Sequence, residues 1–442
     1  MNENFSIIWA TRQIKPKQLT LYVASAVKQL KGMGIKPFDR IAICDENSVE
    51  YVILLLALWQ MQAVAAPVNP RWPDRMIASY VSKINARHLF RSVDVKRAVC
   101  FDARQNIDAG PLEELSLGQE VTIIATSGSS GEPKAVVHIW GNHYFSAQGS
   151  KEVLALTSSD RWLLSLPLYH VSGIAILVRC LLSGAALVMA ASEDLSAQKE
   201  ITHVSLVATQ LQRLLLQEKN HGWLRSLKFI LLGGSAIPRT VIEQSVKLGL
   251  NIYLSYGLTE MASQVATGRV IQVDGPCVKV LPYRKIGISS DGEILVKGEV
   301  LFKGYINGSR VQLPLSEGWF ATGDMGQLDK EGFLTVTGRR DNMFVSGGEN
   351  IHPEEIEKAL LSIKGIAQAM VVPKEDKEFG QRPIAFIRFS AGALSEDDII
   401  RSLQTDLPRF KIPVAFYPWP EHFMSQGVKI SRQEFLRNMP SR

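Results

Sequence analysis

At 442 residues the chain exceeds what one hydrophobic core usually supports, which predicts at least two domains. Hydrophobic residues make up 46% and charged residues 21%, the composition of an ordinary globular protein. The net charge of +6 is interleaved with acids and forms no basic block, which argues against a dedicated nucleic-acid surface while suiting an anionic small substrate. The four cysteines (Cys44, Cys100, Cys180, Cys277) lie far apart with no CxxC pair, which argues against a zinc site or disulfide framework and for a reducing cytoplasm.

The first residues, MNENFSIIWATRQIKPK, lack the long apolar core of a signal peptide. RIAICDENS (40–48) reads as a strand with polar punctuation, and VEYVILLLALW after it as a helix. The stretch YVILLLALWQMQAVAAPV (51–68) approaches the length of a bilayer span, but Gln60 and Gln62 interrupt it and Pro67 closes it. A buried helix running into a buried strand is expected there, and no membrane span. HVSLVATQLQRLLLQ (203–217) passes from strand to helix. LKFILLGGSAI (227–237) is a strand into a double-glycine loop, TVIEQSVKLGL (240–250) a helix and NIYLSYGLTE (251–260) another strand and loop. This order marks a largely parallel, helix-covered sheet, with ligands expected at the carboxyl ends of its strands.

From about residue 280 the pattern changes to the alternation of antiparallel hairpins, in EILVKGEVLFKGYING and WFATGDMGQLDKEGFLTVTGRRDN. HPEEIEKALLSI (352–363) opens with proline and acids, a good helix start. Strand-like IAQAMVVP and RPIAFIRF follow, and then SEDDIIRSLQTDL, a helix capped by Ser395. The expected fold class is α/β. A large N-terminal domain (1–340) has mostly parallel helix-covered sheets plus a small β-rich part, and a small mobile α+β lid domain (341–442) follows.

The loop TSGSSGEPK (126–134) follows the strand-like run VTIIA. Successive backbone N–H groups in such a loop converge on an anion, hydroxyls add donors, and Lys134 adds a full charge. A flexible surface turn has the same composition. A Walker A loop needs Lys-Ser/Thr directly after its second invariant glycine, whereas Gly131 is followed by Glu-Pro-Lys.

Six segments now stand in a fixed order: TSGSSGEPK, YGLTE (256–260), TGD (322–324), GRRD (338–341), SGGENIHPEEIE (346–357) and GVKISR (427–432). In this order, and over essentially its whole length, the chain resembles the AMP-forming acyl/aryl-CoA synthetases, the superfamily of firefly luciferase and nonribosomal-peptide adenylation domains. WLLSLPLYHVSG (162–173), LVATQLQRLL (206–215), LLGGSAIP (231–238), YGLTEMASQ (256–264) and PKEDKEFGQRPIAF (373–386) are similar to the o-succinylbenzoate–CoA ligase family of menaquinone biosynthesis. The resemblance implies a carboxylate attacking the α-phosphate of ATP, with Mg²⁺, to give an acyl-adenylate and pyrophosphate. Coenzyme A then displaces AMP. The implied partners are ATP, an aromatic keto-dicarboxylic acid (o-succinylbenzoate) and coenzyme A, and a homo-oligomer is left open.

The site residues follow from the same resemblance. Lys429 would bridge the reacting carboxylate and the α-phosphate, Glu260 hold Mg²⁺, and Thr259 contact the α-phosphate. Thr126, Ser127, Gly128, Ser129, Ser130, Gly131 and Lys134 would clamp the outer phosphates. Gly233, Gly234 and Ser235, with Tyr256 and Gly257, would border adenine, Asp324 take both ribose hydroxyls, and Arg339 add a ribose or phosphate contact or form an interdomain salt bridge. His170 would lie between acyl pocket and thiol path, or be a structural histidine. Arg213 and Ser263 are candidates for the acid's second carboxylate and its succinyl or keto portion, against a helix-surface role for Arg213. Gly347 and Gly348 would let pantetheine pass, or simply form a hairpin turn, and Asp341 would be the hinge. Other readings are a ligase for another aromatic or medium-chain acid, an adenylating enzyme serving a carrier protein, and a nucleotide-binding pseudoenzyme.

Overall fold

The structure, a computed structural model, describes residues 2–10, 12–99, 112–126, 133–190, 200–234, 237–273, 278–390, 392, 394–420 and 432–437. Two large sheets enclose a layer of helices. A seven-stranded sheet is parallel through Glu120–Thr126, Val64–Pro67, Arg40–Cys44 and His88–Arg91, and continues antiparallel through Lys134–Ile139, Gly304–Asn307 and Arg310–Gln312. A nine-stranded sheet is parallel from Ile252–Leu258 through Phe229–Leu232, His203–Leu206, Arg161–Leu163 and Ala186–Met189 to Ile7–Trp9. Ser263–Arg269 and Lys279–Val280 extend one edge of it antiparallel, and Arg12–Ile14 the other.

The helix Val49–Gln60 lies in the layer between the sheets, where one core cluster joins it to Ile41, Ile43, Val121, Ile7 and Leu187. Covered all round, it has no polar face, and all of its residues from Tyr51 to Trp59 are buried. Ser48 caps it by accepting from the Tyr51 N–H, and the Trp59 indole N–H donates to the Val121 carbonyl at 3.0 Å. The apolar stretch 51–68 is thus a buried helix followed by the buried strand Val64–Pro67, as its length and Gln60 suggested. Among the described residues no helix is long and apolar enough to cross a membrane.

The strands Glu120–Thr126 and Lys134–Ile139 pair antiparallel, with Thr126 opposite Lys134. The Gly/Ser segment therefore joins a hairpin, whereas a P-loop opens a helix. A four-stranded antiparallel sheet (Arg284–Ile288, Glu293–Gly298, Phe320–Leu328, Leu334–Arg339) forms the smaller β-rich part. Beyond a single turn at Arg340–Asn342 comes the small α+β domain. Its sheet contains Phe344–Ser346, Glu349–Ile351, Ile366–Asp376, Gly380–Phe389 and Phe416–Pro418, and its helices include Pro353–Ser362 and Glu396–Asp406. Ser395 accepts from the Asp398 N–H at the second helix, the cap its sequence announced.

Candidate active site

The strand Ile252–Leu258 delivers Tyr256 and Gly257 to the carboxyl end of the parallel sheet. One 3₁₀ turn, Thr259–Met261, follows, and the chain reverses into the antiparallel strand Ser263–Arg269. The reversal is tight enough to force Ala262 to φ 49° and Ser263 to φ 106°, strained values for residues with side chains. At Gly257 any Cβ would collide with the Ser263 carbonyl, so only glycine fits there. Gly233 and Gly234 follow the neighbouring strand Phe229–Leu232, and a Cβ on Gly233 would come within 3.0 Å of the Ser255 carbonyl oxygen.

Two polar groups form around this turn. In the first, the Tyr256 hydroxyl donates to Asp324 Oδ2 at 2.7 Å, and Arg339 Nη1 donates to Asp324 Oδ1 at 3.0 Å. Asp324 and Arg339 are direct cross-strand partners, which sets this pair by register. Arg339 also reaches Asp341 Oδ2 at 3.2 Å. Burial, and then the Asp324 charge, hold the Tyr256 phenol far above its ordinary pKa. Burial lowers the Arg339 pKa, but Asp324 and Asp341 together outweigh it and raise it. Arg339 is thus both a neighbour of the expected ribose acid and an ion pair across the expected domain junction.

In the second group Tyr305 donates from its hydroxyl to Glu260 Oε1 at 2.7 Å, while the Phe302 N–H donates to the Glu260 carbonyl at 2.8 Å. Lys134 Nζ stands 5.1 Å from the centroid of the same Tyr305 ring. Beneath the turn, His138 Nε2 donates to the Thr259 carbonyl at 2.7 Å. With that tautomer, His138 Nδ1 accepts from Thr122 Oγ1 at 3.3 Å, and Thr122 accepts from His143 Nε2 at 2.8 Å. Burial keeps both imidazoles neutral, lowering His138 to about 4 and His143 well below the ordinary value. Tyr305 and His138 were not anticipated from the sequence. The polar His138 interrupting the apolar run AVVHI, and the tyrosine of GYING, were the signals available.

Other expected residues stand apart from these hydrogen-bonded groups. His170 is the exposed N-cap of the helix Val171–Ser183, its ring 4.8 Å from that of Tyr169. Arg213 is exposed in the last turn of Ala208–Leu215, and Ser263 is half-buried at the strained reversal. Gly347 and Gly348, at φ 58° and 88°, form the two-residue turn of the hairpin Phe344–Ser346/Glu349–Ile351. Thr126 is half-buried at its strand end. Ser127, Gly128, Ser129, Ser130, Gly131, Ser235 and Lys429 lie outside the described residues.

A single carboxylate with one committed oxygen suits magnesium. Glu260 Oε2 has no hydrogen bond among the described residues, and none of these groups three His, Cys, Asp or Glu side chains as a protein-only metal cage would. Magnesium bound with a nucleotide takes one or two carboxylates and fills its octahedron with phosphate oxygens and water.

A parallel sheet ending in a tyrosine, a threonine and a carboxylate, faced by a half-buried Asp–Arg pair, defines a nucleotide-handling enzyme. Residues 5–306 match the family described as AMP-binding enzyme, and residues 355–422 match the AMP-binding enzyme C-terminal domain. The chain belongs to the AMP-binding enzyme family. Within it, the chain is 37% identical over 422 residues to the 2-succinylbenzoate–CoA ligase of Haemophilus influenzae, covering 94% of this chain and 91% of the relative. Among solved structures it is similar to a single-substitution variant of E. coli MenE with bound OSB-AMS (31% identity, TM-score 0.84, covering 98% of this chain and 94% of that one). It is also similar to Bacillus subtilis o-succinylbenzoate CoA synthetase (MenE) in complex with the acyl-adenylate intermediate OSB-AMP (30% identity, TM-score 0.81, covering 94% and 91%). The same B. subtilis enzyme in complex with ATP and a magnesium ion matches with a TM-score of 0.80 at 30% identity, covering 94% and 92%.

Proposed function

We propose that the protein joins o-succinylbenzoate to coenzyme A at the expense of ATP, through an acyl-adenylate, releasing pyrophosphate and AMP, as a step of menaquinone biosynthesis. The observation that carries this reading is the convergence of Tyr256, Thr259, Glu260, Asp324 and Arg339 around one strand end, in a chain so similar to a protein that holds OSB-AMP.

In the first step a substrate carboxylate oxygen attacks the α-phosphorus and pyrophosphate leaves. Two anions must meet, so alignment and charge neutralisation carry the catalysis. Tyr256 offers a flat face to adenine beside Gly233 and Gly234, and its bond to Asp324 orients that carboxylate towards the ribose hydroxyls. Arg339 holds the other oxygen of Asp324, so the acid presents its remaining lone pairs in a fixed direction. Thr259 meets the α-phosphate, and the 126–134 segment with Lys134 takes the outer phosphates. Glu260 would hold a magnesium ion, which supplies neutralisation of the phosphate charge. Lys429 reaches the reacting atoms from the C-terminal domain.

For the second step we assign 341–442 as a lid hinged at Asp341. Its rotation withdraws Lys429 and brings Gly347 and Gly348 to the pantetheine path, with His170 between acyl group and thiol. Arg213 and Ser263 serve the acid. The need for ATP and coenzyme A supports a cytoplasmic reaction, as do the buried free thiols Cys44 and Cys180.

Pyrophosphate release from Mg·ATP across a panel of acids, with and without coenzyme A, tests the reading. Release selective for o-succinylbenzoate, with a CoA thioester formed, is expected. Release with a different acid only would overturn the substrate, and release with none the activity. Lys429→Ala should lower adenylation by about 10²–10³.

A further inference from the structure

Magnesium held through one protein carboxylate has no second protein ligand to correct a misdirected one. Glutamate is long and rotatable, so whatever fixes Glu260 sets the quality of the metal site. The fixture visible in the structure is the segment Phe302–Tyr305. Its Phe302 N–H holds the Glu260 main chain at 2.8 Å, and its Tyr305 hydroxyl holds the side chain at 2.7 Å.

We propose that Tyr305 is a positioning residue, which locks Glu260 so that one carboxylate oxygen is taken and the other is directed at the metal ion accompanying ATP. The proposal rests on the reading of Glu260 as the metal carboxylate. Three observations support it. Tyr305 sits on the strand Gly304–Asn307, which pairs with Lys134–Ile139 (Tyr305 opposite Val136), so its mount belongs to the sheet and not to a loop. Its ring packs edge-on against Phe302 with centroids 4.8 Å apart and lies 6.4 Å from Phe320, which restrains the hydroxyl in one direction. Occupation of Oε1 also disfavours a two-oxygen grip on the metal, leaving the single contact that magnesium's strict octahedron accepts.

The same ring carries Lys134 on its face, 5.1 Å from the centroid. One tyrosine thereby links the metal carboxylate to the lysine of the phosphate segment. A phenylalanine would fill the same space and keep the cation over the ring, so Tyr305→Phe deletes only the carboxylate clamp.

The test uses the full chain and a non-hydrolysable ATP analogue, bound by calorimetry with and without Mg²⁺. The ratio of the two dissociation constants measures how strongly the site couples metal to nucleotide. Tyr305→Phe should lower that ratio about 10-fold while leaving metal-free affinity and the thermal midpoint unchanged, the low end of what loss of an outer-shell partner costs. Glu260→Gln should lower it at least as far. An unchanged ratio in Tyr305→Phe with a lowered one in Glu260→Gln overturns the positioning role and leaves the reading of Glu260 intact. An unchanged ratio in both overturns that reading, and the proposal with it. A Tyr305→Phe loss equal with and without metal also overturns the proposal, since it would show a packing role alone.

Discussion

Replacing Arg432 by methionine removes the guanidinium that ties the terminal helix Arg432–Arg437 to the small domain. Arg432 donates to Glu354 Oε1 and to Glu357 Oε1, both at 2.7 Å, and to the Val371 carbonyl at 3.0 Å. The three charged side chains are only 15%, 19% and 12% exposed, so solvent screens them little. Burial pushes the Glu357 carboxyl up from 4.5 to about 7, against the opposing pull of Arg432 and the Val371 N–H. Without Arg432 it must rise further. Because the folded pKa lies above the unfolded one, stability falls as pH rises from 4.5 towards the folded pKa, and levels off beyond it. Wild type and variant therefore lose stability in parallel up to pH 7, and above it only the variant continues, by about 1.4 kcal/mol per unit. The deficit should grow with pH above 7, towards the ~3–5 kcal/mol cost of stripping one partner from a buried pair. Hydrogen exchange of the strand Ile366–Asp376, corrected for intrinsic rates, measures it. A deficit that stays flat from pH 6 to 9, or none, would refute the coupling. The helix begins three residues after Lys429, so adenylation should fall in step.

Asp324→Asn keeps an acceptor for Tyr256 but loses the ion pair with Arg339 and, on the proposed function, the charge offered to ribose. The KM for ATP should rise about 10–100-fold, from the ~1.5–3 kcal/mol of a charged hydrogen bond, and ATP–pyrophosphate exchange reads it. Gly257→Ala should lower the thermal midpoint, with ~1–3 kcal/mol lost to overpacking against the Ser263 carbonyl, and weaken nucleotide binding with it. An unchanged midpoint would show that the reversal after Thr259 relaxes freely. His138, near 4 when folded and 6.5 otherwise, contributes stability that is full above pH 6.5 and lost as pH falls towards 4. His138→Gln, which retains a donor for the Thr259 carbonyl, should flatten that acid slope in urea titrations between pH 4.5 and 7. A slope as steep as wild type would clear His138 of the effect.

Much of the molecule is legible because its determinants are local. The helix Val49–Gln60 follows from an uninterrupted apolar run behind Ser48, the helix Glu396–Asp406 from Ser395 and the acids behind it, and the hairpins after residue 280 from alternation and glycine turns. Six short motifs in order sufficed to name the family and its chemistry, and to nominate the residues proposed to carry it. The N-terminal strands Ile7–Trp9 and Arg12–Ile14 escaped notice because three residues are too few to show a period. The place of Ile7–Trp9 beside Ala186–Met189, with Arg12–Ile14 outside it, depends on a sheet edge nearly two hundred residues away in the chain.

Partner choice is where sequence reasoning stops. His138 meets a carbonyl 121 positions later, and Tyr305 a carboxylate 45 positions earlier. Neither spacing has a signature, since the pairs exist only once Lys134–Ile139 and Gly304–Asn307 lie side by side against the Thr259–Met261 turn. The glycines likewise advertised a turn, but whether the 126–134 segment opens a helix or closes a hairpin was decided by the antiparallel pairing of Thr126 with Lys134. Backbone preference and burial pattern act over a few residues and are written along the chain. Register between distant strands determines which polar groups end up three ångströms apart, and that comes only with the packed fold.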